Sequence, residues 1–519
     1  MTVMTVDLLM DFGGGLTSVI ADVLGISPIH AYWGNMNYDP LTRVADIGNL
    51  NFELNNSIAN SGKTMGYYSP ANSTAVRVGF ALEAPVVLKL GVSGSTVYKY
   101  KRFYIYKIDP VPGPLGARRT MVTANDFMGR LANQNILKVP VQVNARTDQA
   151  LATAIAQMPI PPLATSFQAS PDVLPYIFDD ISVNTAFMTA CQHLAMTDAG
   201  YIFCCADSTS GELFQSHNRQ WRQTQTSKLT LSADLEDMSV PSEEVNILND
   251  VIVSVFPAST SGGNETVYQA ANELVIQPGN PLTFQANYTD PNQGKGSIAR
   301  VRIVPGSGVT PAAGTDYNAS YTSGNEAATD ANSQLSVAVT WYAAYASITL
   351  TNNASQTIYV YPLNLRAVII RLYNQIDVRK TASTSNLAKY GDRILQYTEY
   401  YQTNINQATD MANHWLGAWQ LPTNVPSWVS YTANRSSSLA TAATTLCVGD
   451  RFTNTEPVTG INTDYCIMGL DYTISAGSTA TGPIVKVKYF PEPVNLIPMF
   501  ILDDAVYGVL DTGPGTLGF

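Results

Sequence analysis

Residues 390–419 carry the strongest local pattern in the chain. Tyr390-Gly391-Asp392-Arg393 leads into Ile394-Leu395-Gln396-Tyr397-Thr398-Glu399-Tyr400-Tyr401 and then into a Trp-rich segment, which reads as strand, turn and helix. Ile405, Ala408, Met411, Ala412, Trp415, Leu416 and Trp419 recur at three- and four-residue steps. Asn404 or Thr403 is placed to cap the start, and Pro422 stops the helix. One face of this helix must be buried, so the fold has to pack a helix on a sheet.

The rest of the chain is β-patterned. Residues 30–110 alternate apolar and polar positions between turns such as Ser93-Gly94-Ser95, the pattern of an antiparallel barrel or sandwich. The texture then changes. A short helix starts near Asn125-Asp126-Phe127, and helices are expected over 147–158 and 184–196, the latter with Phe187, Met188, Cys191, Leu194 and Ala195 on one face. With strands over 201–205 and 212–215 they make a small α+β unit. Val251, Val253 and Val255 open a new β segment, followed by a Gly-, Ser- and Asn-rich zone of hairpins and loops over 260–332. Strands over 346–351 and 356–361 flank Asn352-Asn353 as an expected pair, and 363–373 adds another. In the last region Cys466, Met468, Leu470, Tyr472 and Ile474 share a face, and Val485, Val487 and Tyr489 alternate with Lys486 and Lys488. The apolar run 493–500 is expected to pack on its own barrel or on a neighbouring subunit, because exposed apolar extended chain aggregates.

At 519 residues the chain exceeds one hydrophobic core. The expected division is 1–125, a barrel-like domain; 126–240, a small α+β domain; 241–385, a β-rich domain with a loop-rich insertion; and 386–519, a second barrel-like domain holding the amphipathic helix. The expected fold class is therefore mainly β with α+β insertions, in several domains, two of them barrel-like.

Charge narrows the function. Charged residues are only 13% of the chain, against about 25% in ordinary soluble domains. A surface of Asn, Gln, Ser, Thr and Tyr suits large protein contacts, where burying an unpaired charge is costly. The net charge of −11 argues against a phosphate-gripping surface. Only 98–107 interleaves bases with aromatics, and it reads as a strand ended by Asp109-Pro110. No apolar run reaches the ~20 residues that span a bilayer, and no secretory signal pattern opens the chain, whose first base is Arg43.

No catalytic, cofactor or metal residue is assigned. The four histidines, His30, His193, His217 and His414, are scattered; Cys191, Cys204, Cys205, Cys447 and Cys466 show no ligand spacing and read as buried thiols. His217 stands beside Arg219, Trp221 and Arg222, read as a strand end with Arg stacked on Trp. Gly513-Pro514-Gly515-Thr516-Leu517-Gly518 matches a dinucleotide pattern by letter only, since nothing after it can supply a helix N-terminus, and Gly13-Gly14-Gly15 is a turn. Glycosidase chemistry needs two facing carboxylates; Asp234, Glu243, Glu244, Asp503 and Asp504 show no spacing that selects a pair, and no Gly-x-Ser-x-Gly elbow is present.

A set of segments in a particular order adds to this reading. Near one end stand Tyr32-Trp33-Gly34, the stretch 42–50, the stretch 52–57 and Gly66-Tyr67-Tyr68-Ser69-Pro70; near the other, Val448-Gly449-Asp450-Arg451-Phe452, the stretch 468–474 and the stretch 501–510. In this order the chain resembles the tail hub proteins of tailed bacteriophages, the siphophage relatives of the contractile-tail baseplate hub. The resemblance implies a structural virion protein of the tail tip, made in the host cytoplasm, with no enzymatic activity and no cofactor. It implies a homotrimer whose paired barrel-like domains form a pseudo-six-fold ring around the DNA channel, without specific nucleic-acid binding and without a membrane span. The implied partners are the distal tail protein ring, the tape measure protein and tail fibre or tip proteins. A long receptor-binding extension and a lysozyme-like domain are not seen in the sequence. The rival readings are a tail fibre or receptor-binding protein, which internal repeats would favour, and a carbohydrate-active tail enzyme, which a cleft of converging acids would favour.

Overall fold

The computed structural model describes residues 2–494 apart from 26, 37, 38, 40, 114–117, 137, 138, 179–184, 208, 222–224, 242–246, 291–297, 422–424 and 478–481. The expected stop at Pro422, Glu243 and Glu244, Arg222, most of the apolar run 493–500 and everything after it lie outside these residues.

Strand Ile29–Gly34 organises the molecule. On one side it pairs antiparallel with Asp46–Asn55, and on the other with Ile461–Ser475, where Trp33 stands opposite Leu470. From this seam one sheet runs through Arg119–Asn125, Tyr98–Val111, Pro85–Val92 and Met4–Asp11 to Leu16–Ser18. In the other direction it runs through Ile484–Pro493 and Trp428–Thr432 to Asp237–Ser239, with Arg451–Glu456 and Ser227–Leu231 attached beside Ile461–Ser475. Thirteen strands are joined in this way. Period-2 alternation explains the inner face: Leu50, Phe52 and Leu54 on one strand and Val485, Val487 and Tyr489 on another are all buried. The fold is thus mainly β, in several sheets with α+β insertions, and no sheet closes into a barrel among the described residues. The expected division follows changes of sequence texture, whereas the hydrogen bonding joins strands of 4–125 directly to strands of 428–493.

The α+β part contains helices Phe127–Ala132, Thr147–Ile155 and Phe187–Thr197 with strands Thr165–Phe167, Leu213–His217 and Tyr201–Cys205. The loop-rich part is two sheets sharing one core. Strands Ala258–Gln269, Leu274–Ile276, Ile298–Ile303 and Tyr317–Ser320 pair with Ile358–Tyr373, while Leu282–Asn287 and Leu335–Trp341 flank Tyr345–Asn352. The expected pairing across Asn352-Asn353 does not form: the two strands belong to different sheets. Asn352 turns the chain as a corner, its amide donating to the carbonyls of Ile276 and Gln356 at 2.9 and 2.8 Å while its oxygen accepts from the Ala354 N–H at 2.8 Å.

Helix Ile405–Trp419 is capped by Asn404, whose side chain accepts from the Asn406 N–H at 2.9 Å. It packs on a separate three-stranded sheet, with Asp250–Val255 in the centre between Ile376–Thr381 and Ile394–Glu399. Ala408, Met411, Ala412, Trp415 and Trp419 meet Val251, Val253, Val255, Leu395 and Tyr397 there. The helix was expected within the second barrel-like region; its core partners come both from that region, through Leu395 and Tyr397, and from the third, through Val251, Val253 and Val255. Two stripe residues are off the buried face: Ile405 is 43% exposed and Leu416 half-buried. At about 100° per residue both sit roughly 60 to 80° from the line through Ala408, Trp415 and Trp419, at the edge of the stripe. Arg43 links this unit to the large sheet. Its guanidinium lies 4.8 Å from the Trp415 ring and 3.3 Å from the Glu492 carboxylate, with both members of that ion pair buried.

Trp415→Ala should therefore lower stability by about 3–5 kcal/mol through the cavity it leaves. Leu416→Asp, at the rim, should cost less, roughly 1–3 kcal/mol, and the exposed Asn406→Ala about 0.5 kcal/mol or less. Chemical unfolding followed by tryptophan fluorescence checks the order; a Trp415→Ala protein as stable as the parent would remove this helix from the core.

Candidate functional site

Three places concentrate polar chemistry. The first is beneath the seam. The strand Tyr98–Val111 alternates so that Lys99 and Lys101 turn inward while Tyr98 and Tyr100 are half-exposed. The one basic and aromatic run of the sequence thus directs two of its lysines into the core. Lys101 Nζ donates to Asp126 Oδ2 and to the Cys204 carbonyl, each at 2.9 Å. Lys99 Nζ donates to the Tyr472 hydroxyl at 2.8 Å and to the Leu446 carbonyl. Trp33 lies between the chain halves, its ring stacked on Tyr472 at 5.0 Å and within 5.6 Å of Lys101 Nζ. Burial pushes the Lys99 ammonium down to about 7, with the Asp450 carboxylate acting against it. For Lys101 burial acts in the same direction, but the adjoining Asp126 carboxylate outweighs it and the pKa is raised.

Asp126 is the junction of this network. Its Oδ1 accepts from the Gly48 N–H at 2.9 Å and from the Met128 N–H at 3.0 Å, so it caps helix Phe127–Ala132 while Oδ2 holds Lys101. A Cβ at position 48 would stand 2.5 Å from Asp126 Oδ2, which is why glycine occupies it.

The second place is a pair of clefts sharing one wall, where His193 stacks on Tyr400 at 3.7 Å. One cleft, of about 540 Å³, is bordered by Asp46, Ile47, Met188 and Gln192. The other, of about 260 Å³, is lined by Tyr176, Phe256, Arg300, Tyr373 and Tyr401. Asp46 is the one carboxylate among the described residues of the two linings. Among those residues neither arrangement sets two carboxylates across a gap, the geometry glycoside hydrolysis requires.

The third place escaped the sequence reading. Arg219 Nη1 lies 2.6 Å from Asp172 Oδ2 and 3.7 Å from Asp198 Oδ1, and it is His217, at 4.1 Å, that stacks on Trp221. Arg219 is engaged here because two carboxylates offer its guanidinium charge-assisted partners, while Arg222, the other arginine of the expected stack, lies outside the described residues. Nothing local in the sequence signals this, as Asp172 and Asp198 reach Arg219 from separate loops.

The other singled-out residues are separated. His30 bonds Asp471 at 2.9 Å across the seam, and this hydrogen bond raises its pKa; His193 is lowered by burial; His414 lies edge-on to Trp415 at 5.0 Å. Cys205 and Cys447 form a disulfide between strand Tyr201–Cys205 and the loop after helix Ser437–Thr445, which corrects the reading of five thiols; Cys191, Cys204 and Cys466 are free and buried. Gly13 and Gly15 sit in a turn where both backbone N–H groups donate to Asp11. Among the described residues no group of three or more His, Cys, Asp or Glu side chains is placed to hold a metal ion.

No family model matches the chain, and no curated relative is found. Among solved structures, it is similar to a tail protein from Neisseria meningitidis MC58, with TM-score 0.44 and 11% identity over 94% of this chain and 96% of that one. The 43 kDa tail protein of prophage MuSo2 from Shewanella oneidensis gives 0.46 and 8% over 94% and 98%. Prophage tail protein gp18 from Listeria monocytogenes EGD-e gives 0.40 and 8% over 93% and 94%.

The seam network predicts a specific coupling. Lys101→Met leaves the Asp126 carboxylate buried without its cation and should cost about 3–5 kcal/mol, whereas the double variant Lys101→Met/Asp126→Asn, which removes both charges and keeps a capping oxygen, should recover part of that loss. Urea unfolding of the singles and the double measures it; additive effects would mean that the two groups do not interact.

Proposed function

We propose that this protein is a structural component of a bacteriophage tail, and specifically the hub ring of the tail tip. In this reading three copies join the six-fold tail and distal tail rings to a three-fold tip and surround the DNA channel. One observation carries it: several of the segments on which the sequence resemblance rests, some of them more than four hundred residues apart, are neighbours in one sheet, while 66–70 lies in turns and 501–510 lies outside the described residues. Tyr32, Trp33 and Gly34 stand opposite Asp471, Leu470 and Gly469. Asp46–Asn55, which pairs with Ile29–Gly34, contains residues 46–50 and 52–55 of the second and third segments, and Arg451–Glu456, which pairs with the first part of Ile461–Ser475, continues from Val448-Gly449-Asp450. A scattered set of common residues thereby becomes one contiguous stretch of sheet, much of it buried, which supports reading the segments as parts of one framework.

Electrostatics supports the same reading. DNA moving through a tail must not be held, and each Lys or Arg contact with a phosphate adds affinity. The chain is acidic overall, and Lys99 and Lys101 of its only basic run are sealed inside. Regions 1–125 and 386–519 are the parts we assign to the ring, with 126–240 and 241–385 as peripheral parts. The protein works without turnover and without a cofactor, in the virion, against the distal tail protein, the tape measure protein and tail fibre or tip proteins.

Native mass spectrometry of the purified protein should find a mass of three chains, and the assembly should not retain duplex DNA at physiological salt. A stable monomer or hexamer, or tight salt-dependent DNA binding, would contradict the proposal. Peptidoglycan incubated with it should stay intact; cleavage lost on changing a single Asp or Glu would instead make it an enzyme.

A further inference from the structure

The buried acids around Arg219 occupy a contact between two parts of the molecule. Asp172, Asp198, which follows helix Phe187–Thr197, and Arg219 belong to the α+β part. Glu399 ends strand Ile394–Glu399, and Gln407 lies on the Trp-rich helix, so both belong to the helix-and-sheet unit. Contacts across the boundary are direct. Gln407 Nε2 donates to Asp172 Oδ2 at 2.9 Å, the Tyr401 N–H donates to Thr197 Oγ1 at 3.2 Å, and the Tyr397 hydroxyl donates to the Met196 carbonyl at 2.7 Å.

The charge here does not balance. Asp172, Asp198 and Glu399 are three acids facing one guanidinium, so full ionisation would leave a net charge of −2 (three negative, one positive). Asp198 has helpers: Ser170 Oγ donates to it at 3.0 Å and Thr147 Oγ1 at 3.4 Å. Glu399 is fully buried, and neither of its carboxyl oxygens has a hydrogen-bond partner among the described residues. A carboxylate in that position is strongly disfavoured over a neutral carboxylic acid. Among the described residues Arg219 is the cation that acts on Glu399. Burial lowers the pKa of His193, on helix Phe187–Thr197, and Arg146, ahead of helix Thr147–Ile155, is engaged with Asp148, which in turn accepts from the Ser170 N–H.

We propose that Asp198 and Glu399, set against Arg219 and Asp172, form a proton-operated latch that holds the α+β part against the helix-and-sheet unit while these two buried acids carry protons and loosens as they ionise. Burial, with Arg219 acting against it and Asp172 and Asp198 adding to it, pushes Glu399 up to about 8; burial likewise pushes Asp198 up to about 7. Both acids are raised, so the closed form holds protons that the open form releases. Closure is strongest below the ordinary carboxyl values of 3.8 and 4.5, weakens as pH rises through the window from there to about 7 or 8, and stays at its weakest above it.

The test is hydrogen exchange of the amides in Ile405–Trp419 in the full-length protein between pH 5 and 9, after correction for intrinsic exchange chemistry. The opening equilibrium should rise at least about tenfold per pH unit from pH 5 to 7 and level off above pH ~8, because at least one proton is released on opening. Glu399→Gln mimics the protonated acid: it should match the parent at pH 5 and lose about tenfold per pH unit of that dependence. Asp198→Asn provides a second, independent reduction of the slope. Parent protection that is unchanged across this range, or a Glu399→Gln slope equal to the parent's, would overturn the latch.

Discussion

The pairing of Ile29–Gly34 with Ile461–Ser475 is the contact on which the remaining architecture depends. It closes a loop of more than four hundred residues, and once made it fixes the order of strands on both sides, because each β-strand has only two edges to offer. The seam is tight. Gly34 has φ +90°, and a Cβ there would meet the Met468 carbonyl oxygen at 2.4 Å, so the crossing tolerates no side chain. Trp33 stacked on Tyr472 fills the space inside, and the hydroxyl of Tyr472 receives the Lys99 ammonium. Hydrogen bonding, aromatic packing and buried charge therefore converge where the two ends of the sequence meet.

Charge placement links this architecture to the proposed role. The chain has few charges, and many of those that perturb one another are inside: Lys101 with Asp126, Arg43 with Glu492, Arg219 with Asp172 and Asp198. Breaking such pairs is costly, while the pairs themselves add little stability over apolar replacements; their contribution lies in fixing one arrangement among several. Arg43 shows this most directly, since it must reach Glu492 on the large sheet and Trp415 on the helix at once. The chain as a whole is acidic, with a net charge of −11 and only 13% charged residues, a composition that suits the proposed role of extended protein contacts beside a passing polyanion.

Local features were legible in the sequence because short-range physics sets them. Asn404 caps the helix it was expected to cap, Val251, Val253 and Val255 share a buried face, and Tyr98–Val111 is a strand despite its lysines. Long-range choices were not legible. Period-2 alternation says that a strand has an inner face and does not name its neighbour, so the strands after 428 were assigned to a separate barrel-like region, and the pairing of Ile394–Glu399 with Asp250–Val255 beneath the Trp-rich helix was not foreseen. The Asn352 corner looked like a hairpin turn, since both use the same side-chain hydrogen bonds. Glu399 lay unnoticed within an apolar and aromatic strand, and Cys205 gave no sign of Cys447, because only the folded chain brings together two residues separated by 242 positions.

The seam can be tested by joining it covalently. Tyr32 and Asp471 stand directly opposite each other, at a separation natural for a disulfide between antiparallel strands. In the Tyr32→Cys/Asp471→Cys variant, mild oxidation followed by proteolysis and mass spectrometry should yield one linked peptide pair, formed within a single chain and independent of protein concentration. Absence of the link, or its formation only between copies, would show that these two strands do not share one sheet and would remove the pairing on which the hub reading rests.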